Sequence, residues 1–272
     1  MNQYSSRYIA KQAIEQSIPK STWEKNERFT QHLLSQLKKH PISSHSVIEA
    51  LNSSRFKKEE LKLIHLDYRH AIVQIFTDAL LAAQFQCRQL EPKLKPGSKM
   101  FPRFLLSLNV LDEFGFAVGS MDELYLGSPY NAHYPLFEEL LCELGIGLNE
   151  CETYVPSSIS KQLREYLENS YSDLVSVVSL LAIAEEIVIL FSAPLRESIK
   201  PLGIQVNSGY YSCHGSSSDS QAKAADDVHA SDLWCIATQS LECEKYKDIE
   251  YMCQKYCDLW MDFWNFQMNR VM

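Results

Sequence analysis

The strongest constraint in this chain is an apolar run from Leu174 to Phe191 whose only charged residues are Glu185 and Glu186. Two adjacent acids in the middle argue against a membrane span, because a charge in hydrocarbon is costly. The run is instead expected to be a long helix, Tyr171 to Leu195, apolar nearly all round and therefore buried. Such a helix can exist in water only if other elements surround it.

Those elements are also expected to be helices. Few segments alternate with period two, and many repeat every three or four residues. Lys58 to Gln89 carries Leu61, Ile64, Leu66, Tyr68, Ile72, Ile75, Phe76, Ala79 and Leu80, and a loop follows at Pro92, Pro96 and Gly97. Further helices are expected over Met100 to Glu113 and over Ala132 to Leu144, with Gly115, Gly145 and Gly147 as stops. Another begins after Pro156 with Ser158 as cap, and others run from Ala222 to about Ser240 and from Tyr246 to Gln267. The aromatic stripe Trp260, Phe263, Trp264 and Phe266 on the last reads as core. The result is an all-α bundle of about seven to nine helices in one domain over 1–272. Residues 1–40 form an N-terminal extension with a helix from about Glu24 to Lys39. The Ser-rich stretch 215–225 is expected to be a flexible inserted loop.

Composition narrows the function. With 26 Lys+Arg against 34 Asp+Glu, the net charge of −8 argues against nucleic-acid binding, which needs a basic surface. No apolar signal-peptide core opens the chain, so a cytoplasmic protein with reduced thiols is expected despite the 8 Cys. Cys253 and Cys257, four apart on a helix, read as packing residues.

The informative residues are polar groups on otherwise apolar helices, since an unpaired buried charge is expensive. They are Glu113 at the end of Leu108-Asn-Val-Leu-Asp-Glu, His133 opening Ala132-His-Tyr-Pro, and Glu185. His214 follows two tyrosines, and Asp226 and His229 share a helix face. Each alone has an ordinary explanation as a helix end, a packed imidazole or a buried ion pair. Together, three carboxylates and three imidazoles from separate helices can converge inside a bundle and hold two metal ions. That donor set suits iron or manganese better than zinc. Asp112, Asp227 and Glu186 are adjacent acids able to bond the imidazoles.

These residues resemble the ligand pattern of the haem-oxygenase-like diiron oxidases, the group that includes the Chlamydia protein associating with death domains. The matching segments are Asn109-Val-Leu-Asp-Glu113-Phe-Gly, His133-Tyr-Pro-Leu-Phe, Ala184-Glu185-Glu-Ile-Val, and Tyr210-Tyr-Ser-Cys-His214 followed by Asp226-Asp-Val-His229. His40-Pro41 and Phe56-Lys-Lys-Glu-Glu-Leu also resemble the family's first helices, so the likeness spans roughly residues 40–240. It implies a haem-oxygenase-like or TenA-like bundle with metal ligands Glu113, His133, Glu185, His214, Asp226 and His229. It also implies two Fe ions, with Mn as an alternative, and O2 as co-substrate.

The implied activity is oxidation of a small organic substrate by N-oxygenation, oxidative C–C cleavage or desaturation. An amino-acid-derived substrate is favoured by Tyr68, Tyr134, Tyr210 and Tyr211 around the site. An external electron donor and a homodimer are compatible with this reading. The last motif carries extra residues between His214 and Asp226, so Asp219 or Asp232 could replace Asp226, and Glu123 could be an additional ligand. Three alternatives stay open: a fatty-acid-cleaving diiron oxidase, a metal-free module binding a protein partner, and relatives with other chemistry. Among the last, a haem oxygenase would use His32, His40 or His45, and a thiaminase would use Cys142 or Cys213.

Overall fold

The computed structural model describes residues 5–91, 93–118, 125–215 and 226–270. The chain opens with α1 (Ser6–Gln16), whose first turn is capped by the Ser5 side chain accepting from the Tyr8 N–H. Next comes α2 (Lys20–Lys39), with Lys38 and Lys39 facing the negative end of its dipole. The sequence reading found only α2 in this region. α3 (Ser46–Asn52) and α4 (Lys58–Tyr68) follow, and α4 starts with Glu60 accepting from the Lys57 N–H at 2.6 Å.

The expected Lys58 to Gln89 helix is broken in the middle. After α4 comes a π turn, Arg69–Val73, in which the Gln74 N–H reaches the Arg69 carbonyl at 3.1 Å; α5 (Phe76–Gln86) then resumes the α-helix. Such wide turns re-aim side chains and are concentrated at functional sites. α6 (Met100–Glu113) has the expected bounds. Pro92 lies outside the described residues.

A two-stranded hairpin that the sequence reading did not anticipate, β1 (Phe116–Val118) and β2 (Tyr125–Gly127), pairs Phe116 with Gly127. Then come α7 (His133–Glu143), α8 (Leu148–Thr153) and α9 (Ser158–Glu168). Ser157, not Ser158, caps α9, because its side chain accepts from the Ser160 N–H. The long α10 (Leu174–Ile199) is capped by Asp173 and ends one turn later than expected. α11 (Tyr210–Cys213), α12 (Asp226–Ser240) and α13 (Tyr246–Met268) complete the chain. The Ser-rich stretch falls on residues 216–225, outside the described residues, as do Asp219, Glu123 and the expected start of α12 at Ala222.

α10 is the axis of an all-α architecture and packs against α12, α13, α3 and α5. By length and apolarity it could cross a membrane, but most of it is covered by these helices. From α13, Trp260, Phe263 and Trp264 are buried, and Trp264 stacks on Phe191 of α10 with centroids 4.3 Å apart. Phe266, expected in the same stripe, is exposed. Cys253 and Cys257 are buried free thiols.

A buried acid ties α4 to the start of α9 and the end of α13. Asp67 on α4 accepts from the Ser157 N–H at 2.8 Å, from Gln267 at 3.0 Å and from Arg270 at 2.8 Å. Asp67→Ala would strand all three donors. The expected loss is about 3 kcal/mol of unfolding free energy in urea titration, and a change below about 0.5 kcal/mol would show the clamp to be unimportant.

Candidate metal centre

Glu113 stands on the last turn of α6 and His133 on the first turn of α7. Gly115 between them has φ +77°, and a Cβ there would lie 2.4 Å from the Asn131 carbonyl carbon and 2.6 Å from the Ala132 nitrogen. Only glycine permits both this left-handed turn and this close approach. The α6 end and the α7 start are thereby pressed together, and His133 Nδ1 lies 3.1 Å from Glu113 Oε1.

On the other side, Glu185 of α10 faces α12. His229 Nδ1 is 3.6 Å from Glu185 Oε1, and one ligand atom from each of Glu185, Asp226 and His229 falls within 4.8 Å of the others. The His229 Nε2 atom lies 3.3 Å from Asp112 Oδ2, an ion-pair contact on the side of the ring away from Glu185. His214 joins through the ends of the inserted stretch. Its Nδ1 is 3.3 Å from Asp226 Oδ2, and the Gly215 N–H donates to that same oxygen at 2.7 Å. The insertion therefore does not separate the last three residues of the set. His133 and His214 rings meet edge to face at 4.6 Å.

The acid at position 232 plays another part. Asp232 is fully buried against α1, 2.6 Å from Arg7 and 2.9 Å from Lys11. It faces away from the cluster, so Asp226 is the acid that the fold offers there. Glu186 also points elsewhere and accepts from Trp234 Nε1 at 3.2 Å.

All six residues are buried, and Glu113, His133, Glu185 and His214 line one small cavity of about 20 Å³, room for a single water. Ile72, Val73 and Phe76 from the π turn and α5, with Val188 of α10, form its apolar wall, to which Tyr68, Tyr134 and Tyr210 add their rings. Tyr211 instead bonds His65 Nε2 at 2.8 Å. Burial holds His65 down at about 4, so it stays neutral.

The charges inside are strongly coupled. Burial alone would raise Glu113, but His133 and then His214 and His229 outweigh it and hold the carboxyl down at about 2. Burial alone would lower His133 and His229, yet the facing carboxylates push both up, His229 to about 9. Burial, with the Asp226 and Glu113 charges adding, raises Glu185.

Even so, several buried atoms have no hydrogen-bond partner: His133 Nδ1, Glu185 Oε1, His214 Nε2 and both nitrogens of His229. Buried polar atoms are seldom left so. Carboxylate oxygens and imidazole nitrogens aimed together are the donors that hard to borderline divalent cations take.

The histidines weighed as haem ligands are occupied. His40 and His45 cap the helices that follow them, accepting from Ile42 and Val47 N–H, while their other nitrogens meet Asp258 at 3.1 Å and Asn265 at 3.0 Å. His32 sits on the surface 2.7 Å from Glu250. Cys142 is exposed, and the Cys213 thiol lies against His133.

No protein-family model and no curated protein matches the chain. Solved structures do. A TenA homologue from Pseudomonas syringae pv. tomato strain DC3000 superposes with a TM-score of 0.61 at 12% identity, over 87% of this chain and 93% of that one. The chain has the haem-oxygenase-like helical fold. A CADD-like protein of unknown function from Nostoc punctiforme PCC 73102 shares it, with a TM-score of 0.56 at 15% identity over 89% of this chain and 98% of that one. At such identities the likeness carries the fold, and the chemistry must be argued from this chain's own residues.

Sequence reasoning identified the six polar residues but missed what presses them together. Gly115 was legible only as a helix stop, and the π turn that supplies the apolar wall left no signal in the periodicity.

Proposed function

We propose that this protein is a non-haem diiron oxidase or oxygenase. Its metal ligands are Glu113, His133, Glu185, His214, Asp226 and His229, and it uses O2 to oxidise a small, amino-acid-derived substrate. The observation that carries the proposal is the set of buried imidazole and carboxylate atoms, packed against one another, that make no hydrogen bond within the protein. Two ferrous ions bound there would supply open coordination positions and the electrons for reducing dioxygen. The rest of the task falls to the protein. The Asp112 charge lies beside His229, the Gly215 N–H fixes the Asp226 carboxylate, and the apolar wall keeps bulk water from the reacting atoms. An external donor would restore the electrons after each turnover.

Anaerobic titration with Fe(II) tests the reading. About two irons per chain are expected from the six-ligand set, with a transient visible absorption on admitting oxygen. No uptake at micromolar iron removes the proposal and leaves a metal-free interaction module.

The raised imidazoles add a pH prediction. A ligand must lose its proton before binding a cation, and His229 keeps its proton up to about 9. Metal uptake near neutral pH is therefore expected to release protons into a weakly buffered solution. Apparent affinity should climb from about pH 6 to about pH 9, and a flat profile contradicts this set of ligands.

A further inference from the structure

Four redox-active side chains lie in a row between the cluster and the surface. Tyr68 of α4 is buried and lines the small cavity beside Glu113, His133, Glu185 and His214. Its ring centroid is 6.0 Å from that of Trp260 on α13. Trp260 meets Tyr256 edge to face at 6.2 Å, and Tyr256 stacks on Tyr166 of α9 at 5.8 Å. Tyr256 and Trp260 are fully buried, whereas Tyr166 is partly open to solvent. The row therefore runs from the cavity wall to the outside, in steps that are short for electron tunnelling through protein.

Packing alone does not account for these residue types. The Trp260 N–H faces the Tyr256 hydroxyl, yet neither atom completes a hydrogen bond. A buried polar group left so costs stability, and phenylalanine would give position 256 the same ring without that cost. What tyrosine and tryptophan have, and phenylalanine lacks, is an electron that a strong oxidant can remove. Trp260 also touches Phe263, at 5.4 Å, but that ring is far harder to oxidise. Charge arriving from Tyr68 is thereby directed to Tyr256.

We propose that Tyr68, Trp260, Tyr256 and Tyr166 form a relay that carries oxidising equivalents out of the buried cluster when no substrate is present to consume them. Electrons move inward, one at a time. Tyr166 gives up one electron, which passes through Tyr256, Trp260 and Tyr68 to reduce the oxidant that dioxygen leaves at the cluster, and its phenol proton goes to water. A reductant in solution, of the ascorbate or thiol class, then returns one electron, and Tyr166 regains a proton from water. The use of the relay rests on the oxidase reading, but its ability to conduct does not require metal.

Conduction is tested in the metal-free full chain. A ruthenium photosensitiser is placed on Gln162→Cys, exposed one turn before Tyr166, with the exposed Cys142 and Cys243 changed to serine. A flash in the presence of a quencher is expected to produce a transient tryptophanyl absorption from Trp260. It should be lost in Trp260→Phe and in Tyr256→Phe. The second variant keeps the ring and should melt no lower than wild type, so a signal lost there reports conduction and not misfolding. In the iron-loaded chain, oxygen admitted without substrate should leave a tyrosyl radical, seen by electron paramagnetic resonance, that ascorbate discharges and that Tyr166→Phe lacks.

The proposal is overturned if the flash gives no tryptophanyl signal in the wild-type row, or gives the same signal in both variants. It is also overturned if iron binds and oxygen leaves no such radical. Iron titration of the same samples separates the two ideas. Conduction without iron uptake removes the oxidase reading alone, and iron uptake without conduction removes this proposal alone.

Discussion

Glu185→Gln is expected to abolish stoichiometric iron uptake while leaving a folded protein. The side chain sits on the most buried helix, where its carboxylate faces His229 and Asp226. Glutamine keeps the volume and the hydrogen-bonding reach but removes the negative charge that offsets a divalent cation. In the metal-free protein that charge is a burden, since burial already raises the Glu185 pKa. The variant's metal-free melting temperature should therefore match or exceed that of wild type. Metal at about 100 times its dissociation constant stabilises a native site by about 2.7 kcal/mol. That shift should appear on adding Fe(II) or Mn(II) to wild type and vanish in the variant. Wild-type-like uptake by Glu185→Gln would mean that the cluster is not the metal site.

Gly115→Ala should have the largest effect of any single methyl group in the chain. The added Cβ would fall 2.4 to 2.7 Å from backbone atoms of Asn131, Ala132 and Ser128, none of which can rotate away. The positive φ adds its own cost for an L-residue. Together these are expected to cost about 3 kcal/mol in urea unfolding. The damage should also be specific, because relief requires the α6 end and the α7 start to part, drawing His133 from Glu113. Iron stoichiometry should fall along with stability. Asp67→Ala, which loosens a clamp whose partners are Ser157, Gln267 and Arg270 and none of the six cluster residues, supplies the contrast: it should lower stability while the folded fraction keeps its full iron complement. Full binding and a loss under about 0.5 kcal/mol for Gly115→Ala would show that the two helix ends can meet without glycine.

Much of this molecule can be read from local pattern. The bounds of α6 and the end of α7 follow from apolar spacing and glycine stops, because a helix is made by contacts three and four residues apart. Polar residues on apolar helices mark themselves by their cost. That is why Glu113, His133, Glu185, His214 and His229 stood out in the sequence; in the structure the first four line one small cavity and His229 packs against Glu185. The break between α4 and α5 was invisible, since an extra residue in a helical turn leaves the apolar spacing on both sides intact.

The sequence by itself determined the helices, the donor types and their order along the chain. It favoured Asp226 but could not exclude Asp219 or Asp232 as its replacement. Tertiary structure decided, because Arg7 and Lys11, more than two hundred residues upstream, neutralise Asp232 on the opposite face. Periodicity places a side chain on a face of its own helix, but what that face meets depends on partners that only folding brings near.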